Sequence, residues 1–61
     1  MSESVEWKDY VKALLRQNGW THSQLAGEVG VSESTVSKWT TGAAIPSGPA
    51  QRTLLELGGH G

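Results

Sequence analysis

The stretch from residue 20 to residue 42 decides the fold, and it reads WTHSQLAGEVGVSESTVSKWTTG. Thr21 and Gln24 have the spacing of a capping box, in which each side chain bonds the backbone amide of the other residue. A helix that begins there can run only to Gly30, which is about two turns. Its apolar residues are Leu25, Ala26 and Val29. Because so short a helix is unstable alone, a second element must pack on it.

A second short helix follows directly. Ser32 is a good N-cap residue, and Thr41-Gly42 provides a stop. Val36 and Trp39 are three residues apart and form the predicted inward face of this helix. Only residues 30–32 separate the two helices, so their axes are expected to cross steeply. The stretch therefore predicts a helix-turn-helix.

One further helix is predicted on each side of this motif. Residues 5–18 have the periodicity of an amphipathic helix, with Ser4 as its N-cap and Gly19 as its stop. Residues 43–49 form a loop with two prolines. The apolar positions of the flanking helices are Trp7, Val11, Leu14 and Leu15 before the motif, and Ala50, Leu54 and Leu57 after it. The prediction is an all-α bundle of four to five helices.

The composition limits the function further. A chain of 61 residues holds one domain, 1–61, predicted to be ordered over about 5–57 with a flexible tail at 58–61. There is no cysteine and only two histidines, so we expect no disulfide, no metal site and no cofactor. No leader peptide or membrane span is evident, and a cytoplasmic location is expected. No catalytic constellation is apparent, so an enzyme is not expected.

The residues 20–39, together with Gly42-Ala43-Ala44-Ile45-Pro46, resemble the XRE-like helix-turn-helix family of phage repressors and Cro proteins. The likeness covers about residues 5–57. It implies a lambda-repressor-like domain whose third helix enters the DNA major groove while the second bridges the phosphate backbone. It also implies a homodimeric transcriptional repressor on a palindromic double-stranded DNA operator, in a bacterial cytoplasm or a phage-infected host.

Candidate DNA contacts follow from the faces of the helices and from the resemblance. If Val36 and Trp39 point inward, the outward side of the third helix carries Glu33, Ser34, Ser37 and Lys38, which we predict to read base edges. By resemblance, the phosphate-contacting candidates are Thr21, His22 and Thr41, and Lys38 is a further one. The plain alternative for the outward side is a solvated helix face, and for His22 a surface histidine without a role.

Several features favour other interpretations. Five basic against six acidic residues give a net charge of −1, which is not the usual signature of nucleic-acid binding. The alternative is a helix-turn-helix scaffold that acts as a protein-interaction module or antirepressor. Leu54, Leu55 and Leu57 are more than a short terminal helix can bury, so they are candidates for a dimer contact.

Two other sets of side chains allow alternative interpretations. The three tryptophans could stack on single-stranded bases, although the spacing of Trp7 and Trp39 favours core positions and Trp20 is less certain. The basic stripe on the first helix could meet DNA or an acidic partner, but a solvated surface is the simpler reading. Its members are Lys8, Lys12 and Arg16.

Overall fold

Four helices and no strands make up residues 6–58, the part of the chain that the computed structural model describes. The helices are α1 (Trp7–Asn18), α2 (His22–Val29), α3 (Glu33–Thr41) and α4 (Gly48–Leu57). This order confirms the predicted all-α class. None of the four helices is long and apolar enough to cross a membrane.

The two central helices have the boundaries that the capping signals predict. The Thr21 backbone N–H donates to Gln24 Oε1 at 2.9 Å, and the Gln24 N–H donates to Thr21 Oγ1 at 3.1 Å, so the capping box is present. Gly30 ends α2 with a φ of +90°, a conformation that costs a glycine little. Ser32 then caps α3 by accepting from the Thr35 N–H at 3.2 Å. The helix-turn-helix is thus built from local interactions.

The outer helices differ in detail from the sequence prediction. α1 begins at Trp7, and Glu6 occupies its N-cap without a side-chain hydrogen bond. The predicted cap Ser4 and the predicted first residue Val5 lie outside the described residues, as does most of the predicted tail, residues 59–61. α4 begins at Gly48 with Pro49 in its first turn, where a missing N–H costs nothing.

All four helices contribute to one core. The Val11, Leu25, Val36 and Leu54 side chains are fully buried, and Trp39 is 3% exposed. The predicted inward face of α3 is therefore confirmed. Trp7 and Trp20 are half-buried and pack against this core, so Trp39 in particular is not available for stacking on a base. The other buried apolar residues are Leu14, Leu15, Ala26 and Ala50.

A hydrogen bond between distant residues joins α1 to α4. The Tyr10 hydroxyl donates to the Leu54 carbonyl oxygen at 3.0 Å, and the tyrosine ring meets Trp7 edge-to-face with 5.5 Å between ring centroids. The half-buried Tyr10 thus connects α1 to α4. Nothing in the local sequence around Tyr10 predicts this contact.

Candidate nucleic-acid interface

The predicted base-reading residues lie on one side of α3. At 3.6 residues per turn, positions 33, 34, 37 and 38 cover an arc of about 140° on the helix surface. Glu33, Ser34 and Lys38 are exposed, whereas Ser37 is half-buried. The structure brings all four together on the face opposite the core, although the Ser37 hydroxyl has less access to a ligand than predicted.

The opposite side of α3 is fixed by packing against the other helices. Val36 and Trp39 are buried there, and Thr40 is the buried polar residue beside them at 7% exposure. The Thr40 hydroxyl donates to the Ser37 carbonyl oxygen at 2.9 Å, so its burial leaves no hydroxyl hydrogen unpaired. Because this side is buried against the core, packing fixes the direction in which the polar side of α3 faces.

The N-terminus of α2 offers backbone donors to an anion. The first turn of a helix has N–H groups without intrahelical partners, and here the capping box satisfies those of Thr21 and Gln24. The amides of His22 and Ser23 remain at the open end of the helix. The Thr21 oxygen accepts from Gln24, which leaves its hydroxyl hydrogen free to donate to a phosphate. The two backbone amides and the Thr21 hydroxyl could together donate hydrogen bonds to the oxygens of one phosphate.

The remaining phosphate candidates are placed differently. His22 is the first residue of α2 and is half-buried, so only part of its imidazole is accessible. Thr41 lies on the exposed side of α3, but its hydroxyl donates back to the Lys38 carbonyl oxygen at 3.2 Å. Thr41 can accept a hydrogen bond as it stands, and it would have to rotate its hydroxyl to donate one to a phosphate.

The loop after α3 adds apolar surface and no charge. Residues 42–51 contain no lysine or arginine. Within this loop the Pro46 side chain is buried, whereas Ile45 is 70% exposed. The sequence prediction did not single out Ile45. A long aliphatic side chain between alanine and proline gives no periodic signal in a loop, so its exposure could be found only from the structure.

The predicted dimer contact on α4 needs a correction. Leu54 is fully buried in the chain's own core, where it follows Ala50 by one turn on the inward face, so it is not available to a partner. Leu55 is 46% exposed and Leu57 is half-buried. Only these two leucines of the predicted three have surface to offer a second subunit.

The fold and this surface together define a class of protein. It is a small all-α domain with a helix-turn-helix, and the second helix of that motif has a polar, accessible face. A family model described as Helix-turn-helix matches residues 11–57, which is most of the chain. The chain belongs to this helix-turn-helix family, and the XRE-type resemblance is thereby confirmed. Comparisons with curated proteins and with solved structures gave no match.

Membership supports sequence-specific DNA binding as the general function, since the family is one of DNA-binding regulators and not of enzymes. Within residues 6–58, no three His, Cys, Asp or Glu side chains are grouped so that they could hold a metal ion.

Proposed function

We propose that the protein is a transcriptional repressor that reads a specific operator by inserting α3 into the DNA major groove. The observation that carries the proposal is the polar side of α3, where Glu33, Ser34 and Lys38 are exposed while the opposite side of the helix is buried. A major groove about 12 Å wide admits an α-helix, and short polar side chains then reach base edges.

Each base-reading residue has a defined chemical preference. The Lys38 ammonium donates to guanine O6 or N7, and the Glu33 carboxylate accepts from a cytosine amino group. Ser34 and Ser37 can donate or accept, with Ser34 the more accessible. Glu33 is also favourable in the first turn of α3 because of the helix dipole, and this stabilisation persists without DNA.

Phosphate contacts fix the orientation of α3 in the groove. The open amides of His22 and Ser23 and the Thr21 hydroxyl would hold one phosphate at the N-terminus of α2. Thr41 would donate a hydrogen bond to a phosphate at the far end of α3 after its hydroxyl turns away from the Lys38 carbonyl oxygen. These contacts are the same on every sequence, so they contribute affinity without specificity.

A homodimer would compensate for the low charge of one subunit. With a net charge of −1, a single domain attracts DNA weakly. Two domains on a palindromic operator gain affinity because the second contact becomes intramolecular. Leu55 and Leu57 are the residues of α4 with surface for this dimer, in a bacterial cytoplasm or a phage-infected host.

The exposed Ile45 and Leu55 favour a second candidate, a protein-interaction module or antirepressor. Apolar side chains at 70% and 46% exposure would contribute to a protein interface as well as to a dimer. In that case the polar side of α3 is ordinary solvated surface, and substitutions there have no effect on the partner.

The test is the sequence dependence of the Lys38→Ala effect. The wild-type chain is used to select duplexes from a random pool, and its affinity for the selected duplex and for the unselected pool is then measured by fluorescence anisotropy. Lys38→Ala should cost about 1–3 kcal/mol on the selected duplex and relax the preference at one base pair. Lys12→Ala is the charge-matched control, since Lys12 is exposed on α1. It should leave the ratio of the two affinities unchanged.

An equal loss on every duplex would assign Lys38 to phosphate and not to a base. If the wild-type chain enriches no duplex at all, the repressor proposal is wrong and the protein-interaction module takes its place.

A further inference from the structure

The segment that follows α3 has no cation of its own, but a lysine from α1 lies beside the residue that ends the helix. Residues 42–51, which follow α3, contain neither lysine nor arginine. We infer that Lys8, on α1, supplies a phosphate-binding cation at the C-terminal end of α3. The inference rests on the proposed DNA-binding function. It adds a contact between α1 and a DNA phosphate, next to the end of the DNA-reading helix α3.

The position of Lys8 follows from the geometry at Gly42. Gly42 closes α3 with a φ of +85°, and the Lys8 Cδ lies 3.5 Å from the point that a Cβ at Gly42 would occupy. The lysine stem therefore lies against the last turn of α3. Its ammonium group is two bonds beyond Cδ, and the residue is exposed. The Lys8 side chain thus lies beside the residue that follows Thr41, itself a candidate for phosphate contact.

The charge is not needed to close the helix. The C-terminal carbonyl groups of a helix lack intrahelical donors. Here the Lys38 carbonyl oxygen accepts from the Ala43 N–H at 2.9 Å, and the Trp39 carbonyl oxygen accepts from the Gly42 N–H at 3.3 Å. Because backbone amides already bond these two carbonyl groups, closing the helix there does not require the Lys8 ammonium, which we assign to an external anion.

The geometry also separates Lys8 from the other cations of the stripe on α1. Lys12 and Arg16 follow at one and two helical turns, so each lies about 6 Å further along the α1 axis than the one before. Lys8 is the residue of the stripe that has a side-chain atom within 4 Å of the Cβ position at Gly42. The stripe is therefore divided into a DNA-facing lysine and, further along the helix, two residues of ordinary surface.

Salt dependence tests this division. Each phosphate contact adds about 0.9 to the slope of log affinity against log salt on duplex DNA. When the salt is raised from 50 to 200 mM, the fold-decrease in affinity should therefore be about 3.5 times smaller for Lys8→Gln than for the wild type. The loss at 50 mM should be the same on the selected duplex and on the random pool. Lys8→Arg should keep the wild-type slope, and the matched control Lys12→Gln should keep it too.

Thermal unfolding distinguishes a purely structural role. Lys8→Gln should change the melting temperature no more than Lys12→Gln does. The assignment of Lys8 is wrong if Lys8→Gln and Lys12→Gln change the salt slope equally. It is also wrong if Lys8→Gln leaves the salt slope unchanged while Lys38→Ala still weakens binding. In both cases the proposed function stands. If the wild-type chain binds no duplex, both are wrong.

Discussion

Replacing Gly58 with alanine would place a methyl group where the Tyr10 hydroxyl now lies. A Cβ built at Gly58 overlaps the Tyr10 Oη and lies 3.3 Å from Tyr10 Cζ and 3.4 Å from the Leu55 carbonyl oxygen. The backbone itself accepts alanine, since Gly58 has φ −71° and ψ −8°. The conflict is therefore between two side chains, and it can be isolated by changing the other one.

The magnitude follows from two opposing contributions to the free energy of unfolding. Overpacking costs about 1–3 kcal/mol, which here includes displacing the Tyr10 hydroxyl from the Leu54 carbonyl oxygen. Alanine restricts the unfolded chain and returns about 0.4–1 kcal/mol. Gly58→Ala should thus destabilise the wild-type protein by about 1–2 kcal/mol. In a Tyr10→Phe background the overlapping oxygen is gone, so the same substitution should be neutral or stabilising by up to about 1 kcal/mol.

The assay is a double-mutant cycle by urea unfolding, followed by the fluorescence of the three tryptophans. A domain of this length is expected to be stable by about 3–9 kcal/mol, so a coupling of about 1–2 kcal/mol is measurable. If Gly58→Ala has the same effect in both backgrounds, the contact between the end of α4 and Tyr10 is not as described.

Three further substitutions test the helix-turn-helix itself. Gly27→Ala should raise the unfolding free energy by about 0.5–1 kcal/mol, because Gly27 lies in the middle of α2, is exposed to solvent, and has open space where an alanine Cβ would lie. A loss of stability in urea unfolding would contradict this. Thr21→Val removes the cap of α2 and should cost about 1 kcal/mol, seen as a lower melting temperature, while an unchanged melting temperature would show that the cap contributes nothing. Val36→Asp should abolish the folded circular dichroism spectrum, whereas Ser34→Asp on the exposed side should keep it; a folded Val36→Asp protein would mean that the inward face is wrong.

The centre of the fold was predictable because its signals are local. The capping box of Thr21 and Gln24, the positive φ at Gly30 and the cap at Ser32 each depend on residues within a few positions of one another. The inward positions of Val36 and Trp39 follow from helical periodicity. The family resemblance rests on these same residues.

What depends on distant packing was not predictable. The Tyr10 hydroxyl finds its acceptor on Leu54, 44 residues away, and no pattern in either helix marks the pair. The three leucines of α4 indicate surplus apolar surface, but only packing against α1 and α2 decides that Leu54 is the buried one. Likewise, the proximity of Lys8 to Gly42 arises only once α1 lies across α3.

The candidate site shows the same division. Which residues share the outward side of α3 follows from the sequence, whereas the partial burial of Ser37 and the internal hydrogen bond of Thr41 depend on the structure.

The most direct test of DNA recognition through α3 is an NMR titration of the isotope-labelled chain with random duplexes at about 50 mM salt. Amide shifts concentrated in residues 20–24 and 33–41 are the predicted result, since these segments hold the open N-terminus of α2 and the polar side of α3. The absence of shifts, or shifts confined to residues 50–57 of α4, would contradict the account and direct the search to a protein partner.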